Sequence, residues 1–147
     1  MSTWIWIAIA VVIILVVLLI SLFVREKGKN KKSVTAKPKP ASANKIVFIT
    51  VPQTIKAVSV SAMINIQIQD ANGNPFNVAS STVITLFSSI GGIFSANGNG
   101  LSVITTVTVY AGTNSANFYY KDSTKGNPII TASTAGLEPG KQTETIN

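Results

Sequence analysis

Ala62-Met63-Ile64-Asn65-Ile66-Gln67-Ile68-Gln69 alternates apolar and amide side chains. A strand turns successive side chains to opposite faces. Ile64, Ile66 and Ile68 therefore share one face, while Asn65, Gln67 and Gln69 share the other. This pattern predicts a strand with one buried side. Six further stretches read as strands: Ile46–Val51, Thr82–Phe87, Val103–Tyr110, Ala116–Tyr120, Ile129–Ser133 and Gln142–Ile146. Turn residues separate them, among them Asp70-Ala71-Asn72-Gly73-Asn74-Pro75, Gly91-Gly92, Ala96-Asn97-Gly98-Asn99-Gly100 and Pro139-Gly140. Gly, Asn and Asp tolerate positive φ, and Pro presets φ for a turn. About seven short strands in roughly a hundred residues predict an all-β sandwich.

The charge distribution divides the chain into three. From Trp4 to Val24 there are 21 residues without a charged side chain. As a helix they would span roughly 32 Å, the thickness of a bilayer's hydrocarbon core. Trp4 and Trp6 stand at one end, where aromatic rings favour the membrane interface. No Lys or Arg precedes the run and no Ala-x-Ala site follows it, so an uncleaved anchor is expected over residues 1–24 rather than a signal peptide.

Residues 25–45 hold eight basic side chains, Arg25, Lys27, Lys29, Lys31, Lys32, Lys37, Lys39 and Lys45, against Glu26 alone. Residues 46–147 hold four Lys and four acids, so the juxtamembrane stretch accounts for the whole net charge of +7. Lys37-Pro38-Lys39-Pro40 favours an extended spacer, with a reach of up to about 70 Å for the stretch. Arg25, Lys27, Lys29, Lys31 and Lys32 are candidates for contact with anionic headgroups. No aromatic or Gly alternation among the lysines offers a base-stacking platform, so nucleic acid is not an expected partner.

The chain has no Cys and no His. This excludes disulfides, thiolate–imidazole zinc sites, a Cys nucleophile and His-based acid–base chemistry. Asp70-x-Asn72-x-Asn74 superficially matches the start of a calcium loop, but Pro75 and Ser81 stand where Gly and Glu are required. Asp70 reads instead as an Asx-turn cap. Asp122, beside Lys121, reads as a strand-end surface charge, and Glu138 and Glu144 stand alone. No catalytic residue, metal ligand or cofactor site is expected. Phe118 and Tyr120 share a face and read as core. Tyr119 takes the other face, as a solvated residue or as part of a partner surface.

Four segments carry a family resemblance. Asp70-Ala71-Asn72-Gly73-Asn74-Pro75 is similar to the Asp-x-x-Gly-Asn-Pro turn of bacterial and archaeal Ig-like domains of the invasin/intimin type. Gly91-Gly92-Ile93-Phe94-Ser95 resembles the Gly-Gly-x-Phe/Leu-Ser segment of those repeats. Ala111-Gly112-Thr113-Asn114-Ser115-Ala116-Asn117-Phe118-Tyr119-Tyr120-Lys121-Asp122 resembles a motif of prokaryotic surface-layer repeats, and Gly126-Asn127-Pro128-Ile129-Ile130 their penultimate strand. The resemblance covers residues 46–146. It implies a non-enzymatic Ig-like sandwich of cell envelopes and adhesins, whereas family members usually carry tandem copies and this chain carries one.

The expectation is a single-pass membrane protein that presents an Ig-like domain outside the cell. Its partners would be the lipid bilayer, other envelope proteins or glycans, and further copies of itself. The alternative is a subunit of a larger assembly, such as a pilus-like filament, a virion or a membrane complex. Positive charge after the helix argues for a cytoplasmic sandwich, and the resemblance argues for export.

Overall fold

The computed structural model describes residues 13–17, 20 and 41–147. The chain divides into two compact units, Met1–Lys39 and Pro40–Asn147. In the first, residues 13–17 and 20 are helical, and their apolar side chains are exposed. The remainder of the expected membrane helix, with Trp4 and Trp6, lies outside the described residues, as do Arg25, Lys27, Lys29, Lys31 and Lys32. Among the described residues no helix is long and apolar enough to cross a membrane.

The second unit is a two-sheet sandwich. Its strands are β1 (Lys45–Phe48), β2 (Thr54–Ile55), β3 (Ile64–Gln69), β4 (Thr82–Ser88), β5 (Ile93–Ser95), β6 (Val103–Ile104), β7 (Thr106–Val109), β8 (Ser115–Lys121), β9 (Ile129–Ser133), β10 (Gly140–Thr143) and β11 (Thr145–Ile146). One sheet has the order β1-β3-β8-β5-β6 and the other β10-β9-β4-β7, with a small parallel pair β11-β2. With β1, β3, β4, β5, β8, β9 and β10 taken as strands A, B, C, D, E, F and G, the sheets read A-B-E-D and G-F-C. That is the order of an immunoglobulin-like sandwich. Lys45, counted above with the basic stretch, is the first residue of β1.

Eleven strands stand where about seven are expected, for a physical reason. Two expected strands each serve two sheets. Val103–Tyr110 breaks at Thr105: β6 pairs with β5, and β7 crosses to pair with β4. Gln142–Ile146 breaks at Glu144: β10 pairs with β9, and β11 with β2. The short β2 and β5 carry too few residues for period two to show.

The alternation in β3 is realised in full. Ile64, Ile66 and Ile68 are wholly buried, each contributing about 2–3 kcal/mol of apolar burial. Phe118 and Tyr120 of β8 are buried beside them, as expected. Phe118 lies edge-on to Phe48 and Phe94, with ring centroids 6.3 and 5.6 Å apart, an arrangement that aligns ring edge with ring face. Ile84 and Leu86 of β4, Val109 of β7 and Ile130 and Ala132 of β9 close the core from the opposite sheet.

The two lateral sides of the sandwich differ. On one, the backbone stitches the sheets together: Ile46 N–H donates to Glu138 O at 2.9 Å, and Glu138 N–H to Asn44 O at 2.9 Å. Gly140 packs so closely there that a Cβ would lie 2.8 Å from Ile46 O. On the other side, the β6–β7 switch leaves a gap, and the candidate site occupies it.

Candidate functional site

β4 reads Thr82-Val83-Ile84-Thr85-Leu86-Phe87-Ser88. Leu86 and Phe87 are adjacent and both apolar, so strand geometry must turn one of them outward. Leu86 takes the core, and Phe87 is left 61% exposed. Beyond Thr85, β4 loses its neighbour on the β7 side, because the chain has crossed to β6. A cleft of about 230 Å³ opens there, lined by Phe87, Ser88, Gly92, Ile93, Val103 and Ile104 among others. Phe87, Ile93 and Val103, which line it together, are exposed apolar side chains.

A buried polar cluster adjoins the cleft through Ser88 and Gly91. The Tyr120 hydroxyl lies 2.7 Å from Asp122 Oδ2, 2.9 Å from Gly91 O and 2.8 Å from Ser88 Oγ. Its single proton faces two acceptors, and the carboxylate makes the shorter, charge-assisted bond. Ser88 can donate in return. Burial pushes the Tyr120 phenol above its usual range, because water no longer solvates a phenolate there. Asp122 is 3% exposed, and its Oδ1 accepts Thr124 N–H at 2.8 Å. This corrects the reading of Asp122 as a surface charge: the strand end folds inward, and the carboxylate is held by Tyr120.

Glu144, which has no neighbouring carboxylate in the sequence, is held inside the fold. It is fully buried and accepts from Gln53 N–H and, at 2.6 Å, from Gln142 Nε2. It sits where β10 gives way to β11, so it ties the sheet switch together. Asp70 behaves as the sequence predicts. Its Oδ1 accepts the N–H groups of Asn72 and Asn74, both at 2.9 Å, and Oδ2 accepts Asn74 Nδ2 at 3.2 Å. The Asn74 N–H holds the carboxyl below the usual range, since these donors favour its charged form. Its oxygens are occupied within the turn rather than aimed at a ligand. Among the described residues no three His, Cys, Asp or Glu side chains gather where they could hold a metal ion.

Tyr119 lies on the outer face of the five-stranded sheet, opposite Ser95 of β5, and is half-buried. Its ring lies against the β5–β6 turn, where a Cβ on Gly98 would meet Tyr119 Cε1 at 3.4 Å. Tyr119 does not line the Phe87 cleft; Ser95 stands between it and Val103 in one cross-strand row. Sequence reading missed Phe87. The available signal was the Leu86-Phe87 pair, which breaks the alternation of β4.

No protein-family model matches the chain, and no curated protein does. Solved structures match its sandwich. A β-glycosidase from Bacteroides vulgatus aligns at TM-score 0.53 and 20% identity, over 71% of this chain and 14% of that one. A glycosyl hydrolase family 2 member from Bacteroides cellulosilyticus aligns at 0.51 and 19%, over 69% and 15%. Domains 5–6 of the S-layer protein SbsC align at 0.51 and 14%, over 73% and 45%. The chain thus spans less than half of each of these proteins. At these identities the likeness establishes a shared β-sandwich fold.

Proposed function

We propose that this protein is a single-pass membrane-anchored envelope protein that presents its Ig-like sandwich outside the cell, as a structural or adhesive module without catalytic activity. The observation that carries this reading is the layout of charge. An uncharged 21-residue run is followed by a stretch holding the entire net charge, and then by a neutral sandwich. Trp4 and Trp6 would sit at one membrane interface, with Arg25, Lys27, Lys29, Lys31 and Lys32 against the headgroups of the other. A sandwich shared with domains of an S-layer protein supports a place at the surface. The carboxylates support a non-catalytic role: Asp70 caps a turn, while Asp122 and Glu144 are bound within the fold. Tyr119 and the Phe87 cleft are the surfaces offered to envelope proteins or glycans.

Protease treatment of intact cells that carry a C-terminally tagged chain tests the placement. Loss of the tag without lysis is the expected result. Protection until lysis would put the sandwich in the cytoplasm, as the excess of basic residues after the helix alone would have it. A second reading, a subunit of a larger assembly, is favoured by the exposed apolar Phe87, Ile93 and Val103. It predicts that the detergent-extracted protein migrates as a large complex.

A further inference from the structure

From Ala71 to Tyr120 the chain carries no charged residue. The fold gathers this run on one side, as β4, β5, β6, β7 and most of β8. Val83, Phe87, Val103, Leu101 and Tyr110, all from this run, are exposed.

β7 forms the edge of the four-stranded sheet on that side. Among the described residues it pairs with β4 alone, with Thr106 opposite Thr85 and Val109 opposite Thr82. Just before β7, Leu86 N–H donates to Thr105 O at 2.9 Å. In an antiparallel ladder only alternate residues bond to a given neighbour. Residues 105, 107 and 109 therefore bond toward β4, and the N–H and C=O groups of Thr106 and Thr108 point away from the sheet. Natural edges are usually blunted by Lys, Pro, a bulge or a covering segment. Val103 to Tyr110 contains no charge, no Pro and no Gly. The opposite side is treated otherwise: Lys141 lies on β10, and the Ile46–Glu138 bonds stitch the sheets together.

We propose that β7 pairs antiparallel with β7 of a second copy of this chain, joining two four-stranded sheets into one of eight strands. The edge is self-complementary. Centred on Thr108, the pairing sets Thr108 opposite its own copy and Thr106 opposite Tyr110 of the copy. Thr–Thr and aromatic–β-branched pairs are favourable cross-strand contacts, and no like charges meet. A two-fold contact of this kind uses the same patch twice and leaves neither β7 edge open. A charged partner would find nothing on this side to recognise. The inference concerns the sandwich and does not depend on the membrane anchor.

The chain has no Cys, so single cysteines report proximity cleanly. The full chain in detergent, as Thr108→Cys or as Lys141→Cys on the opposite edge, is treated with a short bis-maleimide. A cross-linked dimer is expected from Thr108→Cys and monomer from Lys141→Cys. Association through the helices would give equal yields at both positions and would overturn the proposal, as would absence of cross-linking at position 108. Thr108→Lys supplies a second reading by sedimentation. It should lose the dimer while the circular dichroism of the strands is unchanged; retention of the dimer by this folded variant would also overturn the proposal.

Discussion

Gly92 and Tyr120 are built for each other. A Cβ on Gly92 would meet Tyr120 Cζ at 2.7 Å, and the Gly92 backbone sits at φ +85°. The phenol reaches Asp122 and Ser88 only because this turn has no side chain. Gly92→Ala should therefore suffer twice, from left-handed strain and from overpacking, and should cost about 2–4 kcal/mol. Gly91 shares the positive φ but has open space around its Cβ position, so Gly91→Ala should cost about 1–2 kcal/mol from strain alone. Urea unfolding of the two variants measures the difference. Equal losses would show that the Tyr120 ring does not constrain the turn.

Tyr120→Phe removes the hydroxyl that donates to Asp122 and leaves a buried carboxylate short of a donor. The expected loss is about 1–3 kcal/mol. The same hydroxyl predicts an alkaline limit to stability. Its pKa is raised in the fold above the ordinary 10.0, so above about pH 10 the unfolded chain releases a proton that the folded one keeps. The contribution is full below that pH and is lost as pH rises. Melting temperatures at pH 9 and pH 11 should fall more steeply for the wild-type protein than for Tyr120→Phe. Parallel curves would contradict the burial of the phenol.

Asp70 predicts the opposite sign. Its carboxyl is held below its ordinary value of 3.8, chiefly by the Asn74 N–H group. The folded state therefore binds a proton less readily than the unfolded one. This contribution is present above about pH 4 and is lost as pH falls through the folded value. Asp70→Asn keeps an oxygen for the turn but has no charge to lose, so its stability should vary less between pH 5 and pH 2. An unchanged acid profile would mean that the turn does not depend on the charge.

Val58 has φ 70°, the only positive φ at a non-Gly residue among those described. Ser59 N–H donates to Lys56 O at 2.9 Å, which makes Val58 the third residue of a turn that wants Gly or Asn there. A β-branched side chain is strained in this region, and Val58 is 62% exposed, so little packing is lost on its removal. Val58→Gly should stabilise the sandwich by about 1 kcal/mol. Thermal unfolding with a lowered midpoint would show that the valine side chain contributes packing that outweighs the strain.

The legible parts of the fold are those where one strand serves one sheet. Ile64, Ile66 and Ile68 alternate with amides, and all three are buried. Asp70 acts within four residues of itself, so its role could be read from Asp70-x-Asn72-x-Asn74 alone. Asp122 bonds to Tyr120 and Thr124, each only two residues away, but its burial depends on how the end of β8 packs in the sandwich, which alternation does not report. Glu144 depends in part on a remote donor. Gln53, which donates to Glu144, lies 91 residues away. No local pattern announces such a bond.

The sequence by itself determined that residues 46–147 form strands with one buried face, that this part is neutral, and that the whole net charge lies in residues 25–45. Periodicity and composition are local properties, and they survive without a fold. Only the tertiary structure decided that Val103–Tyr110 divides between two sheets at Thr105, because a strand's partner is chosen by packing across the sandwich and not by its own alternation. That division leaves Phe87 beside a cleft and turns the backbone of Thr106 and Thr108 toward solvent. The surface this protein offers is thus a consequence of where a strand changes sheets.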